Sequence, residues 1–124
     1  MKKKKIMIVD DEESLVELVK ALLEQENYEV ITAFSGEECL EKLKSVKPDL
    51  ILLDMMMPGM SGREVCERIR ENPETKDLKV AFLTVARFSE VGKDILKKMN
   101  VLDYITKPFD NRDLIERVKK IVGD

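Results

Sequence analysis

Histidine is absent from this chain of 124 residues, and cysteine occurs only twice. Without histidine the chain cannot form a Ser-His or Cys-His nucleophilic pair, and it lacks the commonest general base of enzymes. Cys39 and Cys66 fall within helical apolar patterns and outside any CxxC motif, so we expect buried, reduced thiols and no zinc site. Any chemistry must therefore use carboxylates, hydroxyls, lysines and a metal ion.

A long apolar run and a strong charge of either sign are also missing. Only the apolar residues 6–9 follow the first lysines, whereas a signal peptide needs roughly 7–15 and a membrane span about 20. The formal net charge of -3 gives no basic surface for nucleic acid or for membrane lipids. We therefore expect one cytoplasmic domain over residues 1–124, with no direct contact to nucleic acid or membrane.

Short apolar runs alternate with amphipathic runs of helical spacing along the chain. The apolar runs predict five strands: Lys5–Val9, Tyr28–Thr32, Leu50–Leu53, Val80–Leu83 and Asp103–Thr106. The later helices are predicted to begin at capping residues, which are Ser35, Ser61, Ser89 and Asp110. Asn100 suits the left-handed position that ends the fourth helix.

Strands that are apolar throughout are typical of a parallel sheet covered by helices on both faces. Right-handed crossovers then favour a doubly wound, flavodoxin-like α/β fold, for which we adopt the common strand order 2-1-3-4-5. In this order the direction of winding reverses between strands 1 and 3, and ligands bind in the crevice at the carboxyl edge there. Polar residues that end the strands at this edge are therefore candidates for a functional site.

Five polar residues end or follow these strands, namely Asp10, Asp11, Asp54, Thr84 and Lys107. Two carboxylates about 4 Å apart repel by about 4 kcal/mol at an effective dielectric near 20, so three need compensating charge. Lys107 offsets one charge, and Mg²⁺ fits the rest because it prefers carboxylate, water and phosphate oxygens. Thr84 and Lys107 suit phosphate oxygens, which makes Asp54 the candidate nucleophile for an acyl phosphate.

Each of these residues also has a plainer interpretation. An aspartate after a strand often caps a helix or forms a turn. Thr84 alone would be a strand-end hydroxyl, and Lys107 alone would be a solvated lysine. Their agreement in position is what favours a phosphate site.

The chain resembles the receiver domain of two-component response regulators over essentially its whole length. Four segments carry the resemblance: Ile8-Val9-Asp10-Asp11-Glu12, residues 54–62, Thr84, and Tyr104-Ile105-Thr106-Lys107-Pro108-Phe109. It implies a phosphorylation-dependent signalling module, not an enzyme, that takes a phosphoryl group on Asp54 from a sensor histidine kinase. No output segment follows Val122, so the chain is either a stand-alone receiver or a fragment of a longer regulator. We expect the stand-alone, chemotaxis-regulator type, as a monomer or a weak dimer.

The resemblance also implies roles for individual residues in the site. The implied Mg²⁺ ligands are Asp10, Asp11, Asp54 and the backbone carbonyl of Met56. Thr84 and Lys107 are implied to contact the phosphoryl group, with the Lys107-Pro108 peptide bond in the cis form.

Switching and output are likewise implied by the resemblance. Thr84 would move towards the phosphoryl group, and Tyr104 would turn inward in response. An unknown downstream protein would then bind the face formed by helix 4, strand 5 and helix 5, which includes Val91 and Ile95.

Three alternative functions compete with this one. An aspartate-nucleophile phosphohydrolase needs a second acid two residues after Asp54, where this chain has Met56. A flavin-binding protein needs a phosphate loop rich in Ser, Thr and Gly after strand 1, where the acidic residues 10–13 would repel phosphate. A binding module that never takes phosphate stays open, because Val85 stands where the family usually has a very small residue.

Two further expectations concern the methionines. Met56 and Ala86 flank the expected path of hydrolytic water, and apolar Met56 cannot orient that water. We therefore expect the phosphoryl group to last longer than it would with an amide or an acid at position 56. The methionines at positions 55, 56, 57 and 60 either form an adaptable docking surface or pack beneath their loop.

Overall fold

Five parallel strands form the centre of the computed structural model, which describes residues 2–85 and 92–123. The strands are β1 (Lys5–Val9), β2 (Glu29–Ala33), β3 (Leu50–Leu53), β4 (Val80–Thr84) and β5 (Val101–Thr106). Between and after them the described residues form α1 (Glu13–Gln25), α2 (Gly36–Lys42), α3 (Gly62–Glu71), α4 (Lys93–Lys98) and α5 (Asn111–Val122).

The strand order is β2-β1-β3-β4-β5, and every pairing is parallel, which confirms the predicted doubly wound sheet. All residues of β3 and β4 are buried because helices cover both faces of the sheet. One face packs against α2 and α3, with Met7, Val9, Ile51, Leu53 and Phe82 at its centre. The other packs against α1 and α5, with Ile6, Ile8, Leu50, Leu52 and Leu83 at its centre.

The predicted caps are confirmed where the structure describes them. Ser35, Ser61 and Asp110 each accept a hydrogen bond from the backbone N–H three residues later, at 3.1, 3.2 and 2.9 Å. Asn100 has φ 54°, the left-handed conformation expected after α4. Ser89, predicted to cap the fourth helix, lies outside the described residues.

The edges of four elements differ from the prediction. β4 extends one residue further, to Thr84. β2 is shifted by one residue, to Glu29–Ala33. α2 ends at Lys42, whereas the helical spacing of the apolar residues from Cys39 predicts that it reaches Val46. β5 begins two residues early, and its register with β4 shifts between Val80 and Phe82. This irregularity interrupts the alternation of inward-facing and outward-facing side chains, and the start of β5 was predicted from that alternation.

Both cysteines are buried free thiols, as predicted. Burial raises the pKa of Cys39 to about 12 and also raises the pKa of Cys66, so neither thiol is reactive at neutral pH. Among the described residues, no helix has both the length and the apolar character that a bilayer span requires.

Candidate functional site

Two aspartates follow the central strands and are buried in the crevice between them. The backbone N–H of Asp10 donates to the carbonyl of Ala33 at 3.1 Å, and that of Asp54 donates to the carbonyl of Val9 at 3.0 Å. These bonds extend the sheet pairing beyond the strand ends, so both residues are held by the sheet itself. Asp10 is 1% exposed and Asp54 is 4% exposed.

Lys107 places one ammonium group between these two carboxylates. Its Nζ lies 2.5 Å from Oδ2 of Asp10 and 3.5 Å from Oδ2 of Asp54. The backbone N–H of Lys107 donates to the carbonyl of Thr84 at 2.9 Å, which ties the lysine to the end of β4. The peptide bond between Lys107 and Pro108 is cis, as the resemblance implied.

The carboxylate of Asp11, the third one predicted for the site, lies close to those of Asp10 and Asp54. One oxygen from each of Asp10, Asp11 and Asp54 lies within 4.8 Å of the others, with Asp11 exposed. Burial raises the pKa of Asp10, and the nearby Asp54 charge raises it further, against the hydrogen bonds from Lys107 and from the N–H of Glu12. A set of oxygen donors with this excess of negative charge fits a hard divalent cation.

Thr84 and Tyr104 occupy different parts of the fold. Thr84 is fully buried at the end of β4, where its backbone pairs with Thr106 of β5. The ring of Tyr104 is only partly buried and packs edge-to-face on Phe82, with ring centroids 6.3 Å apart. Thr84 therefore belongs to the edge that carries the site, whereas Tyr104 lies on the neighbouring apolar layer.

The methionine loop is mostly packed. Met57 is buried, and Met55 and Met60 pack against the cluster on the α2 and α3 face, so the packing alternative is confirmed for these three. Met56 is 58% exposed, and its backbone N–H donates to Oδ1 of Asp54 at 3.0 Å. Val85, next to Thr84, is 61% exposed.

Two residues of the site were missed by sequence reasoning. Glu12 donates its N–H to Oδ1 of Asp10 at 2.9 Å, and its carboxylate lies 4.0 Å from the Lys107 ammonium. Gly62 begins α3 against the backbone of Asp54, where an added Cβ would lie 2.1 Å from the Asp54 carbonyl oxygen. The Ser61-Gly62 pair predicted the helix start, but the close approach that requires glycine is visible only in three dimensions. Ala86 lies outside the described residues.

Comparisons with known proteins found chains that are similar over nearly the whole length of this one. A family model described as the response regulator receiver domain matches residues 6–119. The alkaline phosphatase synthesis transcriptional regulatory protein PhoP of Bacillus subtilis is 44% identical over 119 residues. That match covers 96% of this chain but 48% of PhoP, so the chain spans about half the length of this relative.

Two solved structures are also similar to the chain over nearly its whole length. The response regulator TrrA of Thermotoga maritima, solved in complex with Mg(2+)-BeF, is 42% identical with a TM-score of 0.82, and the match covers 95% of this chain and 98% of TrrA. The chemotaxis protein CheY4 of Vibrio cholerae is 29% identical with a TM-score of 0.89, over 97% of this chain and 99% of CheY4.

Proposed function

This chain belongs to the response regulator receiver domain family, and from that premise we propose that Asp54 is its phosphate acceptor. Receiver domains are phosphorylation-dependent signalling modules that interact with histidine kinases and with downstream targets. The observation that carries the proposal is the position of the Lys107 ammonium, 2.5 Å from Asp10 and 3.5 Å from Asp54 at the carboxyl edge of the sheet.

We propose that Asp10, Asp11, Asp54 and the carbonyl of Met56 hold Mg²⁺. The close approach of the three carboxylates and the raised pKa of Asp10 support a cation at this point. When bound, Mg²⁺ neutralises carboxylate charge and polarises phosphoryl oxygens. The choice of cation is also supported by the related TrrA protein, which was solved with Mg(2+)-BeF.

In the proposed transfer, an oxygen of Asp54 attacks the phosphorus of a phosphohistidine on a sensor kinase. The new P–O bond forms as the P–N bond breaks, and the electron pair of the P–N bond returns to the imidazole. A carboxylate nucleophile carries no proton to remove, so the absence of histidine is no obstacle. The Met56 N–H orients the Asp54 carboxylate through Oδ1, and Lys107 faces the other oxygen.

After transfer, the phosphoryl group adds about -1.5 to -2 charges at one point. We propose that the Thr84 hydroxyl moves to donate to a phosphoryl oxygen and that Lys107 pairs with another. Tyr104 then reports the change to the face formed by α4, β5 and α5, where a downstream protein binds. Val91 is predicted to lie on this face but is outside the described residues.

The test is to incubate the protein with acetyl phosphate and Mg²⁺ and to measure its intact mass. We expect a gain of one phosphoryl group that disappears with EDTA and in Asp54→Ala. Asp77→Ala is the matched control, because Asp77 is exposed between α3 and β4, and it should be phosphorylated like the wild type. An adduct that persists in Asp54→Ala would overturn the assignment, as would its absence from the wild type with both acetyl phosphate and a kinase.

A further inference from the structure

Arg70, in the last turn of α3, binds backbone carbonyls of two separate segments. Its Nε donates to Met99 at 2.8 Å, and one terminal nitrogen donates to both Lys76 and Leu78 at 2.7 Å. The other terminal nitrogen donates to Asn100 at 3.3 Å. One planar cation therefore joins α3 to the loop before β4 and to the turn between α4 and β5.

These contacts anchor one particular end of α4. Met99 is the C-terminal cap of that helix, and the last carbonyls of a helix have no partner within it. The guanidinium supplies donors to these carbonyls, and hydrogen bonds from a charged donor are stronger than neutral ones. Asn100 then reverses the chain into β5 with its left-handed φ of 54°.

The opposite end of α4 has a weaker attachment among the described residues. Its N-cap position is Gly92, with φ 80°, and no side-chain hydrogen bond caps the helix there. Ile95 and Leu96 are only partly buried where they pack against the core, whereas Met99 is 9% exposed. Within the part of the chain that the structure describes, the strongest contacts of α4 are therefore those at the end that Arg70 binds.

The strand that follows this anchored turn is irregular before it reaches the site. Val101 pairs with Val80 and Tyr104 with Phe82, so two residues of β5 stand opposite one residue of β4. Such a bulge lets a strand bend locally. The Arg70 contacts therefore lie before the bulge, and Tyr104 lies after it.

We propose that Arg70 is a fixed pivot for switching, so that α4 turns about its C-terminal end when Asp54 carries a phosphoryl group. This inference rests on the function proposed above for Asp54. Arg70 touches neither the phosphoryl site nor the metal ligands, so it is a positioning residue. Its role is to convert a change at Thr84 and Tyr104 into a rotation of α4 instead of a loosening of the whole helix.

The test measures amide hydrogen exchange by NMR with and without Mg²⁺ and beryllofluoride, which serve as a stable substitute for the phosphoryl group. In the wild type, we expect beryllofluoride to change exchange at Leu96 and Lys97, the first amides that bond within α4, but to leave Met99 and Asn100 within about twofold. In Arg70→Ala, exchange at Met99 and Asn100 should be about tenfold faster without ligand and should respond to beryllofluoride.

Two further variants separate the pivot from a general loss of structure. Arg68→Ala removes an exposed arginine from the same helix and should behave as the wild type. Arg70→Lys keeps the charge but not the fork, so one ammonium cannot bind all four carbonyls, and exchange at Asn100 should lie between the other two values. This variant keeps the test available if Arg70→Ala does not fold.

The outcomes distinguish the pivot from the proposed function. Equal responses of Met99 and Asn100 to beryllofluoride in the wild type and in both Arg70 variants would overturn the pivot alone. If the amides of Asp54 and Thr84 in the wild type do not respond to beryllofluoride, the proposed function is overturned and the pivot with it. Loss of protection confined to the Arg70 variants would support the pivot.

Discussion

The ammonium of Lys107 lies 1.0 Å closer to Asp10, at 2.5 Å, than to Asp54, at 3.5 Å. Lys107 therefore pairs mainly with a proposed metal ligand and less closely with the proposed phosphoacceptor. Mg²⁺ would compete with Lys107 for the Asp10 carboxylate, which leaves the lysine available for phosphoryl oxygens. Metal binding and phosphoryl binding should therefore be coupled through Lys107.

Asp10 should lower the stability of the metal-free protein as its carboxyl ionises. Burial raises the folded-state pKa of Asp10, so this group favours the folded state most below its unfolded pKa. That contribution is lost as the pH rises through the folded pKa. We expect Asp10→Asn to be more stable than the wild type above this pKa in EDTA, with the difference shrinking at lower pH. Urea unfolding over a pH series measures it.

The same substitution should weaken Mg²⁺ binding by more than about tenfold, since loss of even an outer-shell partner costs 10- to 100-fold. Titration calorimetry with Mg²⁺ tests this, and Asp77→Asn, at an exposed position, is the control. Unchanged Mg²⁺ affinity in Asp10→Asn would contradict its role as a ligand. A destabilised Asp10→Asn protein in EDTA would contradict the burial argument.

Glu38 should contribute stability that is lost in acid. Its pKa is lowered, chiefly because Oε1 accepts a hydrogen bond from the N–H of Phe34 at 2.8 Å. The ammonium of Lys42, 2.9 Å from Oε2, lowers the pKa further. A lowered folded pKa stabilises the protein above the unfolded pKa, and this is lost as the pH falls through the folded value. We expect Glu38→Gln to lose part of the acid dependence of stability, while the exposed control Glu41→Gln, in the same helix, keeps it.

Gly62 should tolerate alanine less well than Gly36 does. An added Cβ at Gly62 would lie 2.1 Å from the Asp54 carbonyl oxygen, which is backbone, whereas at Gly36 its nearest contact would be a side-chain methyl of Val65 at 2.6 Å. We expect Gly62→Ala to lose roughly 1–3 kcal/mol of stability, as for overpacked cores, and to be phosphorylated more slowly. Equal unfolding free energies for the two variants would contradict this.

Much of the site was predictable because it depends on strand ends. The strand runs place Asp10, Asp54 and Thr84 at one edge of a parallel sheet, and the adopted strand order places strands 1, 3 and 4 side by side there. The roles of Gly62 and Arg70 were not predictable. The role of Gly62 depends on how closely the start of α3 approaches the backbone of Asp54. The role of Arg70 depends on carbonyls that lie about 30 residues further along the chain. Periodicity reports which face a residue occupies, but it does not report how closely two backbones approach.

Met56→Asn should shorten the life of the phosphoryl group. The Met56 side chain is 58% exposed beside Asp54 and has no group that can orient an attacking water. An amide there can make one hydrogen bond to that water, and about 1 kcal/mol of transition-state stabilisation corresponds to roughly fivefold faster hydrolysis. Decay of the phosphorylated mass after removal of acetyl phosphate gives the rate. Leu102→Asn, an exposed apolar position on β5, should leave the rate unchanged, and an equal rate in Met56→Asn would refute the prediction.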